Sequence, residues 1–310
     1  MSVLTQCGHS RPLTLCVGIA LFWATSTLSA LAADAPECPL TRLATVKTDT
    51  LPDGRIKIPV TVKDHPLSLM VDTGGVSTTI KWEQAKQLGL AVKQTSQKLV
   101  GVAGGMLNFY VPGDNFSVGD LRFKSLPVYI EARALIGADG TFASDMLKGY
   151  DVDFDFAHDS LSLISQDHCP GQVVYWTTTG SIVIAIDVAR NGHVRFPVTI
   201  DGKRIMATLD TGSAISLISM KAAAELGVDP KAPELTLIRD TGQYQIFAYP
   251  FHSLNFGRVS VKNPHIAIAS DNFVEGLGSD LVLGIDVLRQ MHLYIAYGEK
   301  RLYITPAQAN

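Results

Sequence analysis

Two copies of the triplet Asp-Thr-Gly each follow an apolar segment that is typical of a β-strand. The blocks read LMVDTGG, which contains Asp72, Thr73, Gly74 and Gly75, and TLDTGS, which contains Asp210, Thr211, Gly212 and Ser213. Two carboxyl groups about 3 Å apart cannot both ionise, so they share one proton. One can then act as a base on a bound water while the other donates a proton to a carbonyl. We therefore predict that Asp72 and Asp210 form a catalytic pair, which requires no metal and no other cofactor.

The residues after each aspartate suit a tight active-site turn. Gly74 and Gly212 allow the backbone to approach a carboxylate closely, because they lack a Cβ atom. We expect the hydroxyls of Thr73 and Thr211 to hydrogen-bond across an interface and to hold the two turns in register.

An internal duplication relates the two turns. Residues 59–89 align with residues 197–227 without a gap at an offset of 138, and 10 of 31 positions are identical. A second pair of blocks begins at Asp145 and Asp286, at an offset of 141. Self-similarity at a fixed offset indicates a repeated structural unit. Two units related by a pseudo-two-fold axis bring the two aspartates together within one chain, which is simpler than the alternative in which each half pairs with another chain.

Local patterning predicts an all-β fold with short helices. Apolar residues alternate along residues 56–62 and 198–200, which is typical of strands. Only residues 82–88 and 220–226 have a helical pattern, and a glycine follows each of them.

These motifs resemble the retroviral-type (retropepsin-like) aspartic peptidases, and their presence twice in one chain resembles the two-lobed arrangement of pepsin. The family's second motif is matched well by residues 281–286 (LVLGID), whereas residues 140–145 (GTFASD) have Ala143 where glycine is expected. The resemblance implies two homologous β-barrel-like lobes of the acid-protease type, with a cleft between them that binds a polypeptide substrate in extended conformation. The implied function is an aspartic endopeptidase. The alternative is a catalytically silent peptide-binding protein, which Ala143 and Gly75 favour.

The same resemblance predicts two glycine-containing hairpins, or flaps, that close over substrate. The flap candidates are Gly101, Gly104 and Gly105 in the first copy and Thr241 and Gly242 in the second. The alternative for each is an ordinary hairpin turn. Asp240 begins a third Asp-Thr-Gly that has no counterpart in the first copy, and we interpret it as a turn.

The residue after each active-site glycine differs between the copies. The resemblance implies that the Ser213 hydroxyl hydrogen-bonds the neighbouring carboxylate, which favours the charged form. We therefore expect Asp210 to hold the charge and Asp72 the shared proton. The alternative is that Ser77 or a water replaces the hydroxyl that Gly75 lacks.

Composition excludes several other classes of function. The net charge is only −3 and no block of Lys or Arg is present, so nucleic acid is not an expected partner. The eight histidines form no His-Glu-x-x-His motif, and no Cys/His spacing predicts a metal site. No Gly-x-Ser-x-Gly motif is present.

The start of the chain predicts export. A basic start, an apolar run over residues 12–23 and the ending Ala30-Leu31-Ala32 predict a signal peptide over residues 1–32. The alternative is an uncleaved anchor, since 19 uncharged residues over 13–31 can just span a bilayer. Cleavage gives a periplasmic or secreted protein with no stable membrane insertion.

The mature chain is predicted to divide into a first lobe with an N-terminal extension (33–168), a linker (169–180) and a second lobe (181–310). A single chain then carries both halves of the site, so we expect a monomer. Cys38 and Cys169 remain after cleavage and are predicted to form a disulfide in an oxidising compartment, the alternative being two unrelated thiols.

Overall fold

Alternating apolar side chains in both halves of the chain form β-strands in a computed structural model of the protein. The structure describes residues 38–96, 106–113, 116–123, 126–131, 137–240, 242, 244–270 and 278–308. The predicted signal peptide over residues 1–32 lies outside the described residues. Within them, no helix has the length and apolar character needed to cross a membrane.

The strands and helices are numbered along the chain. The first half contains β1 (Arg42–Lys47), β2 (Asp49–Thr50), β3 (Ile56–Val62), β4 (His65–Asp72), β5 (Thr79–Lys81), α1 (Trp82–Gln87), β6 (Lys93–Gln94), β7 (Phe109–Gly113), β8 (Phe116–Val118), β9 (Leu121–Phe123), β10 (Leu126–Glu131), β11 (Gly140–Ala143), α2 (Ser144–Leu147), β12 (Asp151–Asp155) and β13 (Ser160–Ile164). The second half contains β14 (Ile182–Ala185), β15 (Asp187–Val188), β16 (Val194–Ile200), β17 (Lys203–Leu209), β18 (Ser216–Ser219), α3 (Met220–Leu226), β19 (Thr236–Asp240), β20 (Gln245–Ala248), β21 (Ser253–Phe256), β22 (Val259–Lys262), β23 (Ile266–Ala269), β24 (Leu281–Leu283), α4 (Ile285–Leu288), β25 (Met291–Ala296) and β26 (Arg301–Pro306).

Each half forms a sheet of the same topology. The strand order is β6-β7-β10-β5-β11-β4-β3-β8-β9 in the first lobe and β19-β20-β23-β18-β24-β17-β16-β21-β22 in the second. The third sheet joins the lobes in the order β1-β13-β12-β25-β26-β14. The prediction of an all-β fold with two homologous lobes is therefore confirmed.

Strand periodicity decides which side chains enter the core. Along β3 and β16 alternate residues are buried, and they join a hydrophobic cluster that includes Ile58, Leu69, Phe196 and Leu209. Burial of one face per strand fixes the register, since a slip of one residue would turn every side chain to the opposite face.

The two predicted helices are present, and two further helices were not predicted. α1 and α3 match the helical patterns, and the side chain of Ser219 caps α3 by accepting a hydrogen bond from the Ala222 amide. The prediction that only these segments are helical is wrong, because α2 and α4 are also present. Each is a single turn of four residues, which is too short to show a 3.6-residue periodicity.

Candidate active site

The two aspartates lie at the ends of equivalent inner strands. Asp72 is the last residue of β4, which pairs in parallel with β11, and Asp210 follows β17, which pairs in parallel with β24. Both carboxylates are buried, with exposed fractions of 3% for Asp72 and 8% for Asp210. The side chain of each acts on the pKa of the other, so the structure brings together the two residues that the duplication pairs.

Reciprocal hydrogen bonds between two threonines hold the turns together. The Thr73 hydroxyl donates to the Leu209 carbonyl at 2.9 Å and accepts from the Thr211 amide at 3.0 Å. The Thr211 hydroxyl donates to the Val71 carbonyl at 2.8 Å and accepts from the Thr73 amide at 3.2 Å. Both threonines are fully buried, so water cannot replace these bonds and the two aspartates are fixed relative to each other.

The glycine of each triplet lies against the opposite carboxylate. A Cβ atom on Gly74 would lie 2.4 Å from Cγ of Asp210, and one on Gly212 would lie 2.3 Å from Oδ1 of Asp72. Each glycine amide also donates to the aspartate two residues before it, at 3.1 Å for Gly74 and 2.8 Å for Gly212. Any side chain at these positions would separate the two carboxyl groups.

Burial and mutual charge keep one proton on the pair. Burial raises the pKa of Asp72, against amide hydrogen bonds and the hydrogen bond from Asp210 that lower it. Burial also raises the pKa of Asp210, and the charge of Asp72 raises it further, so it lies well above its usual range. The two groups therefore titrate as one coupled pair, which keeps a shared proton at pH values where an isolated aspartate is ionised.

The structure gives the Ser213 hydroxyl a different partner from the one that the resemblance implies. The Ser213 hydroxyl does not reach Asp210; it donates to the Ile215 carbonyl at 2.8 Å. The serine contributes its backbone amide instead, which lowers the pKa of Asp210 without offsetting burial. The type of residue indicated a hydroxyl, but the local turn directs that hydroxyl away from the carboxylate.

Comparison with known families agrees with this geometry. A family model described as aspartyl protease matches residues 58–147 and 196–287, so that one match falls in each lobe. The chain belongs to the aspartyl protease family. A search of curated proteins finds no significant match.

Solved structures of the same fold include an aspartyl protease and two seed globulins. The aspartic proteinase from Irpex lacteus superposes with a TM-score of 0.53 at 14% identity, covering 85% of this chain and 97% of that one. The basic 7S globulin from soybean gives a TM-score of 0.52 at 8% identity, covering 87% and 96%. Conglutin gamma, a basic 7S globulin from lupine seeds, gives 0.50 at 7% identity, covering 87% and 95%. At these identities the likeness shows the fold alone.

Two further carboxylates support the aspartyl protease turns from behind. Asp145 accepts from the amide of Thr78 at 2.9 Å and from its hydroxyl at 2.7 Å. Asp286 accepts from the amide of Ser216 at 3.0 Å and from its hydroxyl at 2.8 Å. The duplication placed both aspartates at the start of the second repeated block, but it gave no indication of this role.

The unexpected Ala143 is accommodated by the glycine in the neighbouring turn. A Cβ atom on Gly75 would lie 3.2 Å from Cβ of Ala143. In the second lobe the residue types are reversed, and a Cβ atom on Gly284 would lie 2.6 Å from the carbonyl carbon and oxygen of Ile215 and 3.0 Å from the Ser213 carbonyl oxygen. Each lobe therefore has one glycine at these two positions, and Ala143 is fully buried in the first lobe.

Most of the flap candidates cannot be placed. Gly101, Gly104, Gly105 and Thr241 lie outside the described residues. Gly242 lies between β19 and β20, and its amide donates to Oδ1 of Asp240 at 2.8 Å.

The third Asp-Thr-Gly differs from the buried pair. Asp240 ends an exposed strand, and hydrogen bonds from Gln245 and the Gly242 amide lower its pKa. This is the chemistry of a turn with a solvated carboxylate.

The two cysteines that lie outside the predicted signal peptide are joined in the structure. Cys38 and Cys169 form a disulfide with Cα atoms 5.3 Å apart, within the range that disulfide geometry allows. The loop that it closes encloses the first lobe.

No group of three or more His, Cys, Asp or Glu side chains among the described residues is arranged to hold a metal ion.

Proposed function

We propose that the protein is an aspartic endopeptidase that hydrolyses peptide bonds with a water activated between Asp72 and Asp210. The observation that carries this proposal is a buried pair of carboxyl groups that act on each other's pKa and are fixed by the reciprocal Thr73–Thr211 bonds. Burial of two carboxyl groups is costly unless they are used, and strongly perturbed pKa values concentrate at functional sites.

The roles of the two carboxyl groups follow from their protonation. The ionised member of the pair takes a proton from the water as the water attacks the scissile carbonyl, and the protonated member donates its proton to the carbonyl oxygen. The product is a neutral gem-diol, so neither a metal nor a covalent intermediate is required. Its collapse then transfers a proton to the leaving amine.

The test is incubation of the purified mature protein with a denatured protein, with and without a statine-type inhibitor. We expect cleavage that the inhibitor blocks and that is lost in both Asp72→Asn and Asp210→Asn. Asp240→Asn is the matched control and should retain activity near wild type. Cleavage that persists in the two pair variants would refute the proposal.

A catalytically silent peptide-binding protein is the second candidate. It is favoured by the likeness of the fold to two seed globulins. Its expected result is binding of the statine-type inhibitor, measured by calorimetry, with no cleavage of denatured protein from acid to neutral pH.

We also propose a periplasmic or secreted location and a monomeric mature chain. The Cys38–Cys169 disulfide supports the location, since disulfides persist in oxidising compartments. Both aspartates of the pair come from one chain, which supports the monomer. Fractionation of cells with N-terminal sequencing, and light scattering of the purified protein, test the two proposals separately.

A further inference from the structure

A buried serine forms hydrogen bonds to the active-site turn of the first lobe. Ser144 is the first residue of α2 and is fully buried. Its hydroxyl donates to the main-chain carbonyl of Thr73 at 2.7 Å, and its amide donates to the Gly75 carbonyl at 3.1 Å. No sequence pattern indicated a role for Ser144 at the site.

The Thr73 carbonyl and the Gly74 amide belong to the same peptide group, and this amide donates to Oδ1 of Asp72 at 3.1 Å. A hydrogen-bond chain therefore runs from the Ser144 hydroxyl through one peptide group to the Asp72 carboxyl. The Gly75 amide takes no part in this chain, since it donates to the main-chain carbonyl of Asp72 at 3.3 Å. A donor on a peptide carbonyl polarises the peptide, and it strengthens the hydrogen bond of the amide by about 10–30%.

The second lobe has the same backbone bonds at this place but no hydroxyl. The offset of 141 residues between the second pair of repeated blocks relates Ser144 to Ile285. Ile285 is the first residue of α4 and is also fully buried. Its amide donates to the Ser213 carbonyl at 2.9 Å, as the amide of Ser144 does to that of Gly75. The two lobes therefore differ here in the side chain alone.

This difference separates the two carboxyl groups of the pair. The Gly212 amide donates to Oδ1 of Asp210 at 2.8 Å, which is the counterpart of the bond to Asp72. The peptide group of this amide includes the Thr211 carbonyl, to which an isoleucine side chain at position 285 cannot donate. The hydrogen-bond chain therefore ends on one member of the pair only.

The second lobe closes over Ser144. A Cβ atom on Gly192, in the turn between β15 and β16, would lie 2.9 Å from both Cβ and the carbonyl oxygen of Ser144. Thr73 is itself fully buried. The bond between the serine hydroxyl and the Thr73 carbonyl is therefore shielded from water, and hydrogen bonds in such surroundings are electrostatically stronger than in water.

Two titratable groups act on Asp72 independently of Ser144. Asp210 acts across the pair, and Arg55 acts through its charge. The Arg55 guanidinium is held by Asp53 at 2.6 Å and donates to the Gly212 carbonyl at 3.3 Å. Both groups stay in place when Ser144 is replaced, so a change in the titration of the pair reports the hydrogen-bond chain.

We propose that Ser144 is a positioning residue that acts on Asp72, and not on Asp210, through the peptide group between Thr73 and Gly74. The serine fixes this peptide and strengthens the hydrogen bond that its amide donates to the Asp72 carboxylate. The two halves of the duplicated site are thereby made unequal. The inference rests on the proposed function for its catalytic consequence.

The first test observes the peptide group directly by NMR. A polarised, hydrogen-bonded amide proton resonates downfield. We expect the Gly74 amide proton to move upfield in Ser144→Ala, while the Gly212 amide proton stays as in wild type. An unchanged Gly74 resonance would overturn the proposal.

The second test titrates the carboxyl pair in aspartate ¹³C-labelled protein, which gives two apparent pKa values for the coupled groups. Removal of both protons ionises Asp72 whichever group titrates first, so the sum of the two values reports the hydrogen bond to Asp72. We expect this sum to rise by about 0.1–0.7 in Ser144→Ala, which corresponds to 10–30% of a hydrogen bond to a charged group. An unchanged sum would overturn the proposal, whether or not the protein cleaves peptides.

Ser162→Ala is the matched control. Ser162 is a buried serine of β13, and its hydroxyl bonds that of Thr45 at 2.9 Å. Its replacement should lower stability but leave the Gly74 resonance and the sum unchanged; equal changes in both variants would refute a specific role of Ser144. If Ser144→Ala does not fold, Ser144→Cys and Ser162→Cys allow the same comparison, because a thiol is a weaker donor than a hydroxyl.

The third test uses the pH–rate profile and depends on cleavage. The two limbs of kcat/KM report the pair in the free enzyme, so in Ser144→Ala their apparent pKa values should rise in sum as in the NMR titration. Ser162→Ala should keep the wild-type limbs. A loss of rate that is equal at every pH would indicate a purely structural role and refute the proposal. If the wild type cleaves nothing, the proposed function fails, and the two NMR tests still decide the role of Ser144.

Discussion

Gly75→Ser introduces into the first lobe the residue type that Ser213 provides in the second lobe, and it tests how the active-site turns are packed. The new Cβ atom would lie 2.8 Å from Oδ2 of Asp72, 2.9 Å from its Cγ and 3.2 Å from Cβ of Ala143. Real Cβ atoms do not approach neighbours so closely, and overpacking of this kind costs about 1–3 kcal/mol. We expect Gly75→Ser to lower the free energy of unfolding by that amount and to displace Asp72, with loss of cleavage.

The compensating change is Ala143→Gly, which recreates the arrangement of Ser213 and Gly284 in the second lobe. By itself it should cost about 0.5–1 kcal/mol, because glycine weakens a strand. In the double variant it removes the contact at 3.2 Å, so the two changes should cost less together than their sum. Urea denaturation at neutral pH of all four proteins measures this coupling, which neighbouring residues show at about 0.5–3 kcal/mol. Additive effects would refute the account of Ala143.

Three further predictions concern the pair, the threonines and the sheet between the lobes. Asp210→Asn should abolish cleavage but stabilise the protein at neutral pH. The pKa of Asp210 is raised, so the stability that this group contributes is present in acid and is lost as pH rises. The gain in stability, measured by thermal unfolding, should therefore vanish in acid. Thr211→Val should leave two buried backbone groups unpaired, the Thr73 amide and the Val71 carbonyl, at a cost of about 1–3 kcal/mol each. Thr211→Ser keeps the hydroxyl and should retain most of the stability. Equal losses of stability in the two variants would contradict this. Burial lowers the pKa of His168, but its hydrogen bonds, led by that to Asp151, raise the pKa overall, and burial raises the pKa of Asp151 despite this partner. The stability that this pair contributes should therefore be present in acid and should fall as pH rises through the folded-state pKa of His168. His168→Gln should flatten this pH dependence in unfolding curves measured across that range. A pH dependence identical to that of the wild type would refute the prediction.

The sequence by itself determined the fold and the candidate pair. Duplication at a constant offset requires two similar units. Because Asp72 and Asp210 follow equivalent strands in these units, two-fold packing of the units predicts that the two side chains lie together. Strand periodicity and the helical patterns at α1 and α3 are local properties, so they could be predicted from neighbouring residues. The one-turn helices α2 and α4 could not, because they are set by the strands that precede them.

The tertiary structure decided what depends on contacts between distant segments. The sequence identified Ala143 as a departure from the family pattern, but only the tertiary structure shows that Ala143 is buried beside Gly75. It suggested a hydroxyl for Asp210, but the turn directs the Ser213 hydroxyl to the Ile215 carbonyl. The hydrogen bond from Arg55 to the Gly212 carbonyl crosses from one lobe to the other, and a pattern within either copy contains no information about which carbonyl lies opposite. Burial and the direction of side chains, which set protonation, exist only once the two lobes have packed together.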